Sequence, residues 1–190
     1  MNYLITGLGN IGPEYELSRH NAGFLALDRL ADINDTTFRI ARLSNIAEYK
    51  YRRNKIYLAK PATYMNLSGK AVNYWLHYLK IPLENSLVVV DDISLDFGVL
   101  RIRGKGSSAG HNGLASIEQS LGTQLYPRLR IGIGNQFPKG AQIDYVLDRF
   151  SNDEISGLDE ILNNACEIIQ SFILTGIDKT MTDYNKRNVK

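Results

Sequence analysis

A chain of 190 residues, 44% hydrophobic and 22% charged, can bury a sizeable core and has the composition of an ordinary globular protein. No apolar run approaches membrane-span length, and the N-terminus lacks a basic stretch leading into a long apolar one, so neither a membrane anchor nor a secretory signal is expected. The formal charge of +2 conceals an uneven distribution: residues 99–140 hold six basic side chains against one acidic, residues 141–190 five against nine. A basic middle suits a phosphate-rich partner, although a solvated strand pair would carry the same charges. Cys166, the single cysteine, has no disulfide partner within the chain and is expected in the core of a cytoplasmic protein.

In chain order, Tyr3–Thr6 is an apolar run that predicts a buried strand. A glycine-rich turn follows, with Gly7, Gly9, Gly12 and Pro13, and then His20 ahead of a helical pattern over about 20–33. Three β-rich segments, 38–41, 47–51 and 56–59, predict a meander with turns at Ser44-Asn45 and Arg53-Asn54. A loop over 61–70 leads into a helix from Ser68 to Leu79, where His77 is expected to be structural or on the surface. Leu87–Val90 is apolar at every position, as a strand covered on both faces should be, and ends in Asp91-Asp92.

Val99–Arg103 alternates apolar and basic residues, and 104–110 forms a polar glycine loop. His111-Asn112-Gly113 follows, then a helix to about Leu121, and Arg128–Gly134 predicts another strand. Residues 135–150 look mostly irregular, and a long helix spans Asn152–Thr175 until Gly176 ends it, with room for a shorter helix beyond. With no linker, repeat or low-complexity segment, one domain over 1–190 is expected.

Two motifs match by pattern and fail on context. Gly7-x-Gly9-x-x-Gly12 has the spacing of a dinucleotide fingerprint, but the acidic residues about twenty positions on, Asp28 and Asp32, fall within a helix rather than at a strand tip. Gly106-x-Ser108-x-Gly110 resembles a nucleophile elbow, but no histidine follows a downstream acid. Three dispersed histidines and one cysteine offer no ligand spacing, so no metal or other cofactor is expected. His20 and Asp91 remain, with Asn10, Asn66 and Asn112 in loops. A histidine oriented by a carboxylate can deprotonate water, and neutral amides can hold an ester or a peptide backbone.

His20, Asn10, Asn66 and Asn112 lie in segments that together resemble bacterial peptidyl-tRNA hydrolases: Gly7–Tyr15, Arg19–Gly23, Lys60–Gly69, Gly110–Leu114 and Arg128–Gly134, in the family's order, and counting back from Gly98 aligns Asp91 with them. The resemblance implies a monomeric α/β domain, a twisted mixed β-sheet flanked by helices, that hydrolyses the ester between peptide and tRNA. It implies His20 as catalytic base, Asp91 as its partner and Asn10 in contact with both His20 and substrate. Tyr64, Met65, Asn66, His111 and Asn112 are then expected at the substrate, Tyr15 at the terminal nucleotide, and Arg103 and Arg130 on tRNA phosphate. A non-catalytic RNA-binding module of the same fold is the alternative. The segment Asp91–Gly98 departs from the family pattern, with Ser94 in place of an acid and Asp96 in place of a proline; Ala109 stands where glycine is frequent.

Overall fold

Strand β5 (Ser86–Asp92) is the middle of the computed structural model, which describes residues 1–185; the last five residues of the expected 1–190 unit lie outside them. Its apolar run is buried at every position because β1 (Asn2–Gly7) and β7 (Arg128–Gly132) flank it and helices cover both faces. The other strands are β2 (Arg39–Ala41), β3 (Ser44–Tyr51), β4 (Asn54–Pro61) and β6 (Leu100–Arg103), and the sheet order is β2-β3-β4-β1-β5-β7-β6. The pairs β4–β1, β1–β5 and β5–β7 are parallel and the outer pairs antiparallel, which makes the sheet mixed.

Period-two alternation divides the core into two. On one face Ile5, Leu87, Val89 and Leu129 pack with helices α1 (Ala22–Ile33) and α5 (Asn152–Thr175). On the other, Leu4, Val88 and Val90 pack with α2 (Ser68–Leu79) and α3 (Asn112–Leu121). Two shorter helices, α4 (Gln142–Leu147) and α6 (Ile177–Tyr184), complete the described chain. Cys166 is buried in the first core, and His77 is exposed, its Nδ1 beside the Asn73 carbonyl.

Two local expectations need correction. Ser44 and Asn45 are the first residues of β3 and pair with Ala41 and Ile40, so the turn is Arg42-Leu43, with Leu43 at φ 62°. Asn54 begins β4, which moves the next turn to Arg52-Arg53, with Arg52 at φ 54°. Both times a non-glycine residue holds the left-handed conformation, against its local preference, because strand register fixes where the chain must reverse. Residues 135–150 are mostly irregular, as expected, and include α4, too short to show a helical period.

A catalytic-type cleft at the strand ends

The glycines of the opening turn position the first side chain of this cleft. A Cβ on Gly7 would lie 2.3 Å from the Gly23 carbonyl oxygen, and one on Gly23 would lie 2.4 Å from the Val89 oxygen. Without side chains there, the first turn of α1 rests directly on the ends of β1 and β5. His20 sits in the 3-10 turn Arg19–Asn21 just ahead of α1, and Asp91 follows Val90 on β5. The close seam therefore brings them together: His20 Nδ1 is 2.9 Å from Asp91 Oδ2.

A second histidine completes the arrangement. His111 caps α3, and its Nδ1 accepts the backbone N–H groups of Gly113 (3.1 Å) and Leu114 (3.3 Å). That nitrogen carries no proton, so Nε2–H donates, and it lies 3.0 Å from Asp91 Oδ1. Asp91, 3% exposed, thus bridges two imidazoles with one oxygen each. Burial works against its charge, but both histidines outweigh it and hold its carboxyl well below the usual range. Burial likewise opposes an imidazolium at His20; the charge and hydrogen bond of Asp91 prevail and raise its pKa above the ordinary 6.5. With Nδ1–H donated to the carboxylate, Nε2 is the free basic nitrogen of His20.

His20, Asp91 and His111 have ligand-type atoms within 4.8 Å of one another. Their geometry is that of N–H···O bonds, with the Asp91 oxygens taken and His111 Nε2 protonated, so the cluster is satisfied internally rather than arranged around an ion.

The surrounding cleft has a volume of about 230 Å³. Asn10, His20, Met65, Asp91, His111, Asn112 and Arg130 line it, with Ile143, Val146 and Leu147 of α4 on one side. Tyr15, Tyr64, Asn66 and Arg103 do not; Tyr64 and Asn66 are exposed, and Arg103 lies with Lys105 in an adjoining cleft that shares Arg130. His111 lines the cleft, yet both its ring nitrogens are engaged within the protein. Asn10 is not hydrogen-bonded to His20. Its backbone is fixed by Asn21, which accepts from Asn10 N (2.7 Å) and donates to Asn10 O (3.0 Å). Arg130 is ion-paired with Asp92 and bonded to Ser94 Oγ (3.2 Å), so the first and second aspartates of the pair hold different partners.

Arg19 and Asn21 stand in a segment that carries the family resemblance, but nothing in the sequence assigns them a role, and α4 is too short to show a helical period. Arg19 is buried, pairs with Glu154 (2.7 Å) and lies 4.3 Å over the Tyr145 ring. Glu154 is also the N3 residue of the capping box that opens α5 with Ser151. The residue before His20 is thereby tied to α4 and to the start of α5.

A sequence model of the peptidyl-tRNA hydrolase family matches residues 4–190. This chain belongs to that family. It is 54% identical over 187 residues to the peptidyl-tRNA hydrolase of Phocaeicola vulgatus, an alignment covering 98% of this chain and 100% of the relative. The Clostridium botulinum relative of the same name is 42% identical, over 96% of each chain. A crystal structure of peptidyl-tRNA hydrolase from Acinetobacter baumannii superposes with a TM-score of 0.90 at 32% identity, over 96% of this chain and 94% of that one. A 5'-methylthioadenosine nucleosidase of Arabidopsis thaliana, TM-score 0.54 at 6% identity, shares the fold alone.

Proposed function

We propose that this chain hydrolyses the ester joining peptide to tRNA by general-base catalysis at His20. The observation that carries the mechanism is the buried Asp91 bridge, which leaves His20 Nε2 as the one unengaged nitrogen of the two cleft imidazoles. His20 Nε2 takes a proton from water as the water oxygen attacks the ester carbonyl. Asp91 holds the ring in the required tautomer and stabilises the imidazolium. The imidazolium then returns its proton to the departing ribose oxygen. The amides of Asn10 and Asn112 are placed to hold the developing oxyanion and the peptide, with Met65 and α4 as apolar walls.

Arg130 lines both the reaction cleft and the adjoining basic one, so a tRNA end entering the first can lay its phosphates along Arg103 and Arg130. On this reading Tyr15, Tyr64 and Asn66, outside the cleft lining, act on parts of the substrate that lie beyond it. The enzyme works as a monomer in the cytoplasm; no described helix is long and apolar enough to cross a membrane. A non-catalytic RNA-binding module is not favoured, because such a module has no use for a tautomer-fixed base.

The test is release of N-acyl amino acid from N-acyl-aminoacyl-tRNA with EDTA present. Wild type is expected to turn over, and His20→Ala to lose about 10²–10⁴ in rate while still binding tRNA. Full activity in His20→Ala would overturn the assignment of the base; loss of wild-type activity in EDTA would overturn the metal-free mechanism.

A further inference from the structure

Basic side chains are concentrated a second time, at the sheet edge opposite β6. Residues 39–60 hold seven of them, from Arg39 to Lys60, against the single acid Glu48. Lys55 and Lys60 are neutralised by Glu48 and Asp28. Arg39, Arg42, Lys50, Arg52 and Arg53 form no ion pair among the described residues.

Strand register puts Arg39 opposite Ile46 and Glu48 opposite Tyr57, on the face that α2 covers. Between them lies a groove with a volume of about 400 Å³, lined by Tyr57, Tyr74, Trp75 and Tyr78 together with Arg39 and Arg42. The rings of Tyr74 and Tyr78 lie nearly parallel, 5.6 Å apart at 14°. The Arg42 guanidinium stands 4.9 Å over Tyr74, and Tyr78 is 64% exposed. The groove shares no lining residue with the reaction cleft or with the Arg103 cleft. Six strand spacings separate β2 from β6, roughly 30 Å.

The exposed Tyr78 ring, backed by Tyr74, beside guanidinium groups without ion-pair partners is what an unpaired nucleic-acid strand requires. Bases stack on the rings and phosphates meet the arginines. An acidic peptide would satisfy the charges and leave the rings unused. We propose that this groove is a second RNA-binding surface, which holds a single-stranded RNA segment through Tyr74, Tyr78, Arg39 and Arg42. The choice of RNA over DNA rests on the RNA substrate proposed above; the stacking and charge arguments do not.

Trp75 is the sole tryptophan, and its indole N–H donates to the Arg42 carbonyl (3.1 Å), so its emission reports on this groove. The experiment titrates the full chain with an unstructured RNA decamer at low salt, following decamer anisotropy and Trp75 fluorescence. Wild type should bind with a change in Trp75 emission. The double variant Arg39→Ala/Tyr78→Ala, at exposed positions that leave the core intact, should bind about tenfold more weakly or worse, with a shallower salt dependence. Tyr78→Phe should retain binding, since the ring face remains. Arg103→Ala, which removes a basic group of the other cleft, should keep the Trp75 response.

The proposal fails if Trp75 does not respond, or if Arg103→Ala abolishes binding and the groove variant preserves it. It also fails if an oligoglutamate peptide of equal charge binds as well as the decamer. None of these readings depends on ester hydrolysis, so an inactive enzyme that still bound the decamer would separate this proposal from the catalytic one.

Discussion

Asp91 shows how a single carboxylate can set the protonation state of a site. Both oxygens accept from imidazole N–H groups, and His111 is locked into one tautomer by the two backbone N–H groups it caps. The signs of the two displaced pKa values lead to a pH prediction. His20 acts as a base only when neutral, and Asp91 raises its pKa above 6.5, so kcat/KM should rise with pH through an ionisation above that value. In Asp91→Asn burial acts on His20 without the opposing charge, so the ionisation should move to lower pH as turnover falls. A pH–rate profile whose limb stays in place in Asp91→Asn would sink the argument. Stability follows the same groups with opposite signs. The depressed Asp91 pKa contributes stability present above 3.8 and lost as pH falls through its folded value. The raised His20 pKa contributes stability present below 6.5 and lost as pH rises through its folded value.

At the level of elements, the seam between α1 and the ends of β1 and β5 decides whether the dyad exists. Gly23→Ala would push a methyl to within 2.4 Å of the Val89 oxygen, a backbone atom that cannot move aside cheaply. Overpacking of this kind costs about 1–3 kcal/mol. Melting temperature and turnover of Gly23→Ala should fall together, because α1 carries His20 away from Asp91 as it shifts. An unchanged melting curve would show that the seam has slack. The loop before His111 carries strain of a different kind, with Ala109 at φ 49° where glycine would sit freely. Helix α4 is tied at its Tyr145 side chain to the Ile133 carbonyl (2.6 Å), and Arg19 donates to the Tyr145 carbonyl (3.3 Å), so the apolar wall of the cleft is anchored from two directions.

Across the whole molecule, positive charge is sorted rather than spread. Of the six basic side chains in residues 99–140, Arg128 is 1% exposed, stands 3.6 Å from Glu118, and bonds to the Ser107 carbonyl, so it supports the loop before His111 from inside. Arg103 has no ion pair among the described residues, whereas Arg130 is held by Asp92. Arg103→Ala should therefore weaken tRNA binding and lower the slope of log affinity against log salt by about 1. Arg130→Ala should lower the slope by less, because Asp92 already offsets part of its charge. Equal slopes in wild type and Arg103→Ala, measured across a salt titration, would remove Arg103 from the phosphate path.

The α/β class came with the family resemblance; the buried central strand, the bounds of α2 and α5 and the end of α3 were legible in the chain alone, because burial periodicity is a local property. The apolar pattern over Asn152–Thr175 marks α5, and Leu87–Val90 marks a strand with two covered faces. The types of residue at the cleft were also legible, since His20, Asn10 and Asn112 stand in segments of recognisable pattern and Asp91 ends the buried central strand. What only the tertiary structure decided is partnership. Asp91 and Asp92 are adjacent and chemically identical, yet alternate strand faces send one to His20 and the other to Arg130. His111 offers two nitrogens to any substrate on paper, and helix capping together with Asp91 takes both. Sequence fixes what each side chain can donate or accept; which atom it meets depends on register, close packing and the direction of a strand's next Cβ.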